Sequence, residues 1–442
     1  MQSKHPSESY EQLLRTDRDH IWHPFTSLAG PSTIPIQSAK GVYLFTTDGR
    51  KIIDAVSSWW VNIHGHSHPR IAKAIYEQAS TLEHVIFAGF THKPAINLAQ
   101  RLLSILPKNQ KRIFFSDNGS TAVEVALKMA LQFWFNKGTP RKKVIAFEGA
   151  YHGDTFGSMS VGERGDFTRP FHPFLFNVES IPVPNANNFE DVIARFEHLV
   201  STKEVAAFIF EPLVQGAAGM VMYKREYLNT LLNVAKDYDV ICIADEVFTG
   251  FGRTGTLFAT EQLSGLPDIM ALSKGITGGT LPLGVTTCAK EIEDAFLSPE
   301  RSHTFYHGHS YTANPIACAA ACESFDLLMS TECQEAVKRI AKQQKIFADE
   351  IRLHPMVHDA RVCGTILAVE TETSGRTSYF NELGKTIYTY FLERDILLRP
   401  LGNVIYVLPP YVITSDELRQ VHQALREFLD YLQSTYHTKE DT

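Results

Sequence analysis

VICIADE (residues 240–246) and DIMALSK (residues 268–274) are short apolar runs, each ending in a polar residue able to do chemistry. Four more segments are likewise short, apolar and bounded by Gly, Asp or Pro: RIFFSD (112–117), KVIAFEG (143–149), VAAFIFEP (205–212) and GVTTCA (284–289). Their lack of polar alternation fits strands covered on both faces. Stretches of helical period lie between several of them, such as STAVEVALKMALQFWF (120–135) and EYLNTLLNVAKDYD (226–239). Strands alternating with helices predict an α/β fold with a mostly parallel sheet and helices on both sides. This large domain is expected over residues 69–325. Residues 1–68 read as an arm laid over the surface plus a hairpin, VYLFT and KIIDA about the turn Asp48-Gly49, belonging to a smaller domain. Residues 326–442, with further helices, the strand-like RVCGTILAVE, ILLRP and VIYVLPP, and a terminal helix from Ser415, complete that α+β domain.

Composition removes several function classes. The 442 residues carry 42 Lys+Arg against 49 Asp+Glu, a net charge of −7, which disfavours nucleic acid or an anionic membrane as partner. Cys242, Cys288, Cys318, Cys322, Cys333 and Cys363 include no CxxC pair and lie mostly in apolar text, so reduced buried thiols are expected rather than disulfides or a zinc site. The first twenty residues lack an apolar signal core, and charge, Pro or Gly interrupts every long apolar run. A cytoplasmic enzyme is the expectation.

In an open α/β sheet, ligands bind beyond the carboxyl ends of the strands. VICIADE puts Asp245 and Glu246 there, and the next strand delivers Lys274, twenty-nine residues after Asp245. Alone, either acid reads equally well as a loop carboxylate bonded to nearby amides. Together, a lysine and an acid on neighbouring strand ends suit pyridoxal phosphate: the lysine forms the Schiff base, and the carboxylate keeps the ring nitrogen protonated. A phosphate anchor is offered by Asn118-Gly119-Ser120-Thr121, where a strand turns into a helix and leaves free N–H groups at its positive end. By itself that turn is a plain helix cap. Tyr151 or His152, in EGAYHGDT, offers a stacking face for the ring or, equally well, a core aromatic.

Two other patterns point elsewhere. GFGRTG (250–255) matches a dinucleotide fingerprint, but Gly265 and Pro267 break the helix it should open. Its acid, Asp268, starts the next strand instead of ending it. The glycines are expected to let a loop pass something bulky, and Arg253 to hold an anion or pair with a carboxylate. His64, His66 and His68, with His307 and His309, have the spacing of metal ligands, which makes a metal-dependent hydrolase the competing reading. HGH lies in a Gly/Pro-flanked turn, no HExxH accompanies it, and no metal is expected.

EPLVQGAAGM (211–220), DEVFTGFGRTG (245–255) and SKGITGG (273–279) resemble the class III branch of the fold-type-I pyridoxal phosphate aminotransferases, and the likeness runs from about His20 to Val412. Within that branch IWHPFTS, DAVSSWWVNIHGHSHP, YHGDT, KGITGGTLPL and RPLGNVIYVLPPYVI resemble the transaminases of biotin synthesis. The resemblance implies S-adenosylmethionine as donor and 8-amino-7-oxononanoate as acceptor. It implies Lys274 as the catalytic lysine, Asp245 on the ring nitrogen, Gly119 and Ser120 on the phosphate, Tyr151 beside the ring and Val247 on its other face. Gly308, His309 and Ser310 would enter from the neighbouring subunit of a homodimer, Trp59 and Trp60 would wall the substrate channel, and Arg399 would grip the acceptor carboxylate. Without the family, the tryptophans read as core and Arg399 as a surface ion pair. The chain departs from the family at Phe25, often Tyr, and at His309-Ser310, where a subset has Pro-Thr. These departures keep lysine open as the donor. An omega-amino acid:pyruvate transaminase is the runner-up, and the double tryptophan weighs against it.

Overall fold

A computed structural model describes residues 9–30, 33–373, 375, 377–379 and 381–440. Residues 1–8, where the polar N-terminus was read, and Pro31 of the arm lie outside them. The central sheet has seven strands in the order Gln110–Ser116, Gly284–Ala289, Ile269–Leu272, Ile241–Asp245, Val205–Phe210, Lys143–Phe147, Glu179–Ile181. The strand of VICIADE pairs in parallel with those of DIMALSK and VAAFIFEP. Gly284–Ala289 runs antiparallel to both its neighbours.

Successive side chains of a strand point to opposite faces, so a strand buried on both must be apolar throughout. Ile241 and Ile243 join Ala122, Val125, Ala126 and Met129 of the Gly119–Asn136 helix in one core cluster. Cys242 and Ala244 point the other way, into a cluster with Phe208, Phe210 and Leu232. Burying a Leu, Ile or Phe side chain contributes about 1.5–3 kcal/mol, so the two clusters hold the sheet rigid beneath whatever its strand ends carry.

The expected hairpin is present, Tyr43–Thr46 against Lys51–Asp54. It forms a four-stranded sheet with Ile36–Lys40 and with Ile396–Leu397 from near the other end of the chain. RVCGTILAVE is itself a hairpin, Val357–Cys363 with Ile366–Thr371, extended by Val404–Val407. The helix Ser415–Glu440 follows. The arm is more structured than its composition suggests. Tyr10–His20 is helical, capped by Ser9 Oγ accepting from Gln12 N, and none of its residues is buried. All six cysteines are free, Cys242, Cys288 and Cys318 buried and Cys322, Cys333 and Cys363 partly so. Among the described residues no helix is long and apolar enough to cross a membrane.

Candidate active site

The carboxyl ends of the strands open into one cavity of about 980 Å³. Trp59, Trp60, Gly119, Ser120, Tyr151, Asp245, Val247, Lys274 and Arg399 all line it. Lys274 follows the Ile269–Leu272 strand in a left-handed conformation, φ +47°, which turns its side chain off the strand line. Its Nζ lies 4.9 Å from the Trp60 ring centroid and 5.8 Å from that of Phe248. Burial lowers the Lys274 ammonium from its ordinary value, while Asp245 and Glu211 nearby act in the opposite direction.

Asp245 ends the neighbouring strand and is buried. Its Oδ1 accepts from Val247 N at 3.0 Å, and its Oδ2 lies 2.6 Å from His152 Nδ1. A carboxylate oxygen can only accept, so the imidazole donates through Nδ1. His152 is therefore the orienting partner of Asp245, and both Tyr151 and His152 stand on the cavity wall. Tyr151 Oη donates to Asp154 Oδ2 at 3.0 Å, and burial raises its phenol strongly. Sequence reasoning missed the His152–Asp245 pair, since 93 residues separate the two. It also passed over Glu211, which is wholly buried and accepts from Tyr151 N at 3.1 Å and Gly216 N at 3.0 Å. Burial pushes Glu211 up to about 7. The only signal for it was its place one residue beyond an apolar strand.

At the Gly119–Asn136 helix the cap is Asn118, whose Oδ1 accepts from Thr121 N, while Thr121 Oγ1 accepts from Asn118 N. That box leaves the N–H groups of Gly119 and Ser120 without a partner among the described residues. A Cβ on Gly119 would stand 2.6 Å from Val247 Cγ1, so only glycine lets the helix start reach this wall. A buried amine, an anchored carboxylate and an N–H cradle on a glycine floor fit a phosphorylated pyridine aldehyde.

At the outer end, Arg399 lies over the Trp59 ring at 4.4 Å, with no carboxylate partner among the described residues. It is not the surface ion pair that its sequence alone suggested. Phe25 reaches the same wall, edge-on to Trp59 at 5.5 Å and to Phe167 at 6.0 Å. Trp60 is buried and donates through Nε1 to Tyr406 Oη at 3.0 Å.

Gly308, His309 and Ser310 do not line this cavity. His309 N donates to Thr312 Oγ1 instead, and its buried Nε2 has no partner among the described residues. Arg253 corrects the sequence reading. It is buried and pairs with no carboxylate among the described residues; its guanidinium donates to the carbonyls of Pro409, Trp60 and Asn62 and lies over Tyr411. The glycine beside it does pass something bulky, for a Cβ on Gly252 would stand 3.0 Å from Tyr411 Oη. Glu246 is also structural, accepting from Thr249 Oγ1 and from Ala259 and Thr260 N. The histidines have separate partners, His64 on Ser324, His66 on Asp54 and His307 on Lys128. No group of three or more His, Cys, Asp or Glu among the described residues could hold a metal ion.

Comparison with known proteins bears on this geometry directly. Residues 27–429 match the family described as aminotransferase class-III. The chain is 49% identical over 420 residues to an adenosylmethionine-8-amino-7-oxononanoate aminotransferase of Synechococcus elongatus, covering 93% of this chain and 98% of the relative. A Geobacter sulfurreducens protein of the same name is 37% identical, over 98% of this chain and 99% of its own. Among solved structures, the enzyme of that name from Methanocaldococcus jannaschii superposes with a TM-score of 0.90 at 35% identity, covering 96% of this chain and 99% of that one. An omega transaminase of Pseudomonas jessenii in complex with PMP superposes at 0.89 and 26% identity, covering 95% and 97%. With a lysine, an acid and a phosphate cradle meeting at the strand ends, the chain belongs to the class III aminotransferases, enzymes dependent on pyridoxal phosphate.

Proposed function

We propose that this chain transfers the amino group of S-adenosylmethionine to 8-amino-7-oxononanoate, giving 7,8-diaminononanoate for biotin synthesis. One observation carries the reading: a lysine amine at the floor of the cavity and a guanidinium stacked on Trp59 at its outer wall suit a keto acid whose carboxylate lies far from its ketone. The relatives named for this reaction support it.

Bound pyridoxal phosphate supplies the electron sink and the carbon that carries the amino group between donor and acceptor. Lys274, whose charged form burial disfavours, takes the proton from the donor's Cα on its Nζ and gives it back in the second half of the cycle. Asp245, fixed by Val247 N and His152 Nδ1, presents a negative oxygen to the ring nitrogen. The Gly119 and Ser120 N–H groups hold the phosphate at the helix start. Trp59 and Trp60 keep water from the channel, and Arg399 binds the acceptor carboxylate with two parallel donors. Gly308, His309 and Ser310 complete the neighbouring subunit's site in a homodimer, the Ser310 hydroxyl reaching its phosphate. Phe25 favours a second reading of the donor alone: it puts no hydroxyl on the wall where lysine and S-adenosylmethionine would differ.

Mixing the yellow holoenzyme with each donor tests both readings. Loss of its absorbance band with S-adenosylmethionine and not with lysine is the expected result. The reverse moves the donor to lysine. Bleaching by neither, with no amination of 8-amino-7-oxononanoate, overturns the proposal.

A further inference from the structure

Both channel tryptophans stand on a turn that the local sequence has no tendency to form. Ser57, Ser58 and Trp60 have φ of +54°, +59° and +67°, a left-handed region that side-chain-bearing residues seldom take. Such backbone persists only where its surroundings over-determine it. On the far side of the turn, Arg253 takes up the carbonyls of Trp60 and Asn62. On the near side lies Asp54, wholly buried. Its Oδ1 accepts from Val56 N at 3.1 Å, and its Oδ2 from Ser58 N at 2.7 Å and Ser58 Oγ at 3.3 Å.

The same Oδ2 lies 2.8 Å from His66 Nε2. Since a carboxylate only accepts, the imidazole donates through Nε2, while its Nδ1 faces Asn62 Nδ2 at 3.3 Å. His66 therefore ties residues 62–66 back to Asp54 and closes a ring of chain around the two tryptophans. Neither Asp54 nor His66 lines the cavity. What the ring fixes is Trp60 beside Lys274 and Trp59 beneath Arg399.

We propose that Asp54 and His66 are positioning residues, which set the channel wall by holding the 56–60 backbone in its left-handed turn. This deepens the transaminase reading, and its kinetic arm rests on that reading.

His66→Leu removes the donor and keeps the bulk; His66→Gln restores an N–H at a similar reach. In a Trp22→Phe background, where Trp22 no longer dominates the exposed signal, acrylamide quenching reads the packing of Trp59 and Trp60 without substrate. We expect His66→Leu to raise the quenching constant about twofold and the KM for 8-amino-7-oxononanoate about fivefold, with a smaller change in kcat. Gln should return both towards wild type, and Asp54→Asn, which loses one of the two acceptor oxygens, should move them as Leu does. Unchanged quenching in His66→Leu, or Gln behaving as Leu does, overturns the inference. So does a loss of kcat, with unchanged KM, that merely follows a lowered Tm. If the wild-type enzyme does not aminate this acceptor, the functional reading fails, and quenching alone still decides the positioning role.

Discussion

Glu211 is a buried carboxyl with no salt bridge among the described residues, bonded to two backbone N–H groups. Burial raises it from 4.5 to about 7, so between those values the folded chain binds a proton that the unfolded chain has released. Stability is then complete below the unfolded value and declines as pH rises towards 7, by about 3 kcal/mol for this group. Glu211→Gln is expected to lower Tm at acid pH, through one lost acceptor, yet to fall less than wild type from pH 5 to 8. Parallel Tm curves for the two apoproteins would refute this. Lys274→Ala should abolish turnover while the fold survives, and residual activity near the wild-type rate would remove the lysine from the chemistry. Arg399→Ala should raise the KM of the acceptor by about tenfold or more, and by more than that of the donor, because the guanidinium is assigned to the acceptor carboxylate as a bidentate donor. Equal rises would deny Arg399 its specificity. Either acid alone read equally well as a loop carboxylate, whereas Lys274 and Asp245 were legible as a pair, because a lysine and an acid on neighbouring strand ends face one crevice. His152 was not, because its meaning lies in a contact that only the folded sheet creates.

The Gly119–Asn136 helix joins local sequence to function most directly. Asn118 and Thr121 cap it reciprocally, which spends two polar side chains on the helix and frees the next N–H groups for a ligand. Asn118→Ala is expected to cost about 1 kcal/mol of stability. Gly119→Ala is the sharper test, since its Cβ meets Val247 Cγ1. It should weaken pyridoxal phosphate binding, read by absorbance titration, and Val247→Ala in the same chain should recover part of the loss. No recovery would mean that the backbone at Gly119, and not the space beside it, sets the cradle. Strand and helix positions were readable because two-sided burial forces unbroken apolar runs and amphipathic period forces helices. The direction of Gly284–Ala289 was not, for an antiparallel strand buried on both faces has the same apolar text as a parallel one. The Tyr10–His20 helix was missed because its apolar residues, Tyr10, Leu13 and Leu14, make a stripe of barely one turn and none of its residues is buried.

At the scale of the whole molecule, the cavity draws its walls from segments hundreds of residues apart. Ile396–Leu397 pairs with Lys51–Asp54, which brings Arg399 to Trp59 and lets the two ends of the chain share one sheet. Gly308, His309 and Ser310 stay off this cavity although the family pattern gives them a role in one. In the homodimer we propose, each loop would serve its partner, which would account for that difference and permits a decisive mixing experiment. A Lys274→Ala chain lacks its own amine but keeps its loop; a Ser310→Ala chain keeps its amine but lacks the loop hydroxyl. In a mixed dimer the Ser310→Ala chain's cavity has Lys274 of its own and Ser310 of the partner subunit, so it is an intact site, while the other cavity carries both defects. Co-expressed with different tags and purified through both, the mixed dimer should regain about half of the wild-type activity and one cofactor band per two chains. Activity no higher than that of the Ser310→Ala homodimer would place the loop outside its partner's site, and a monomer in solution would exclude the sharing altogether.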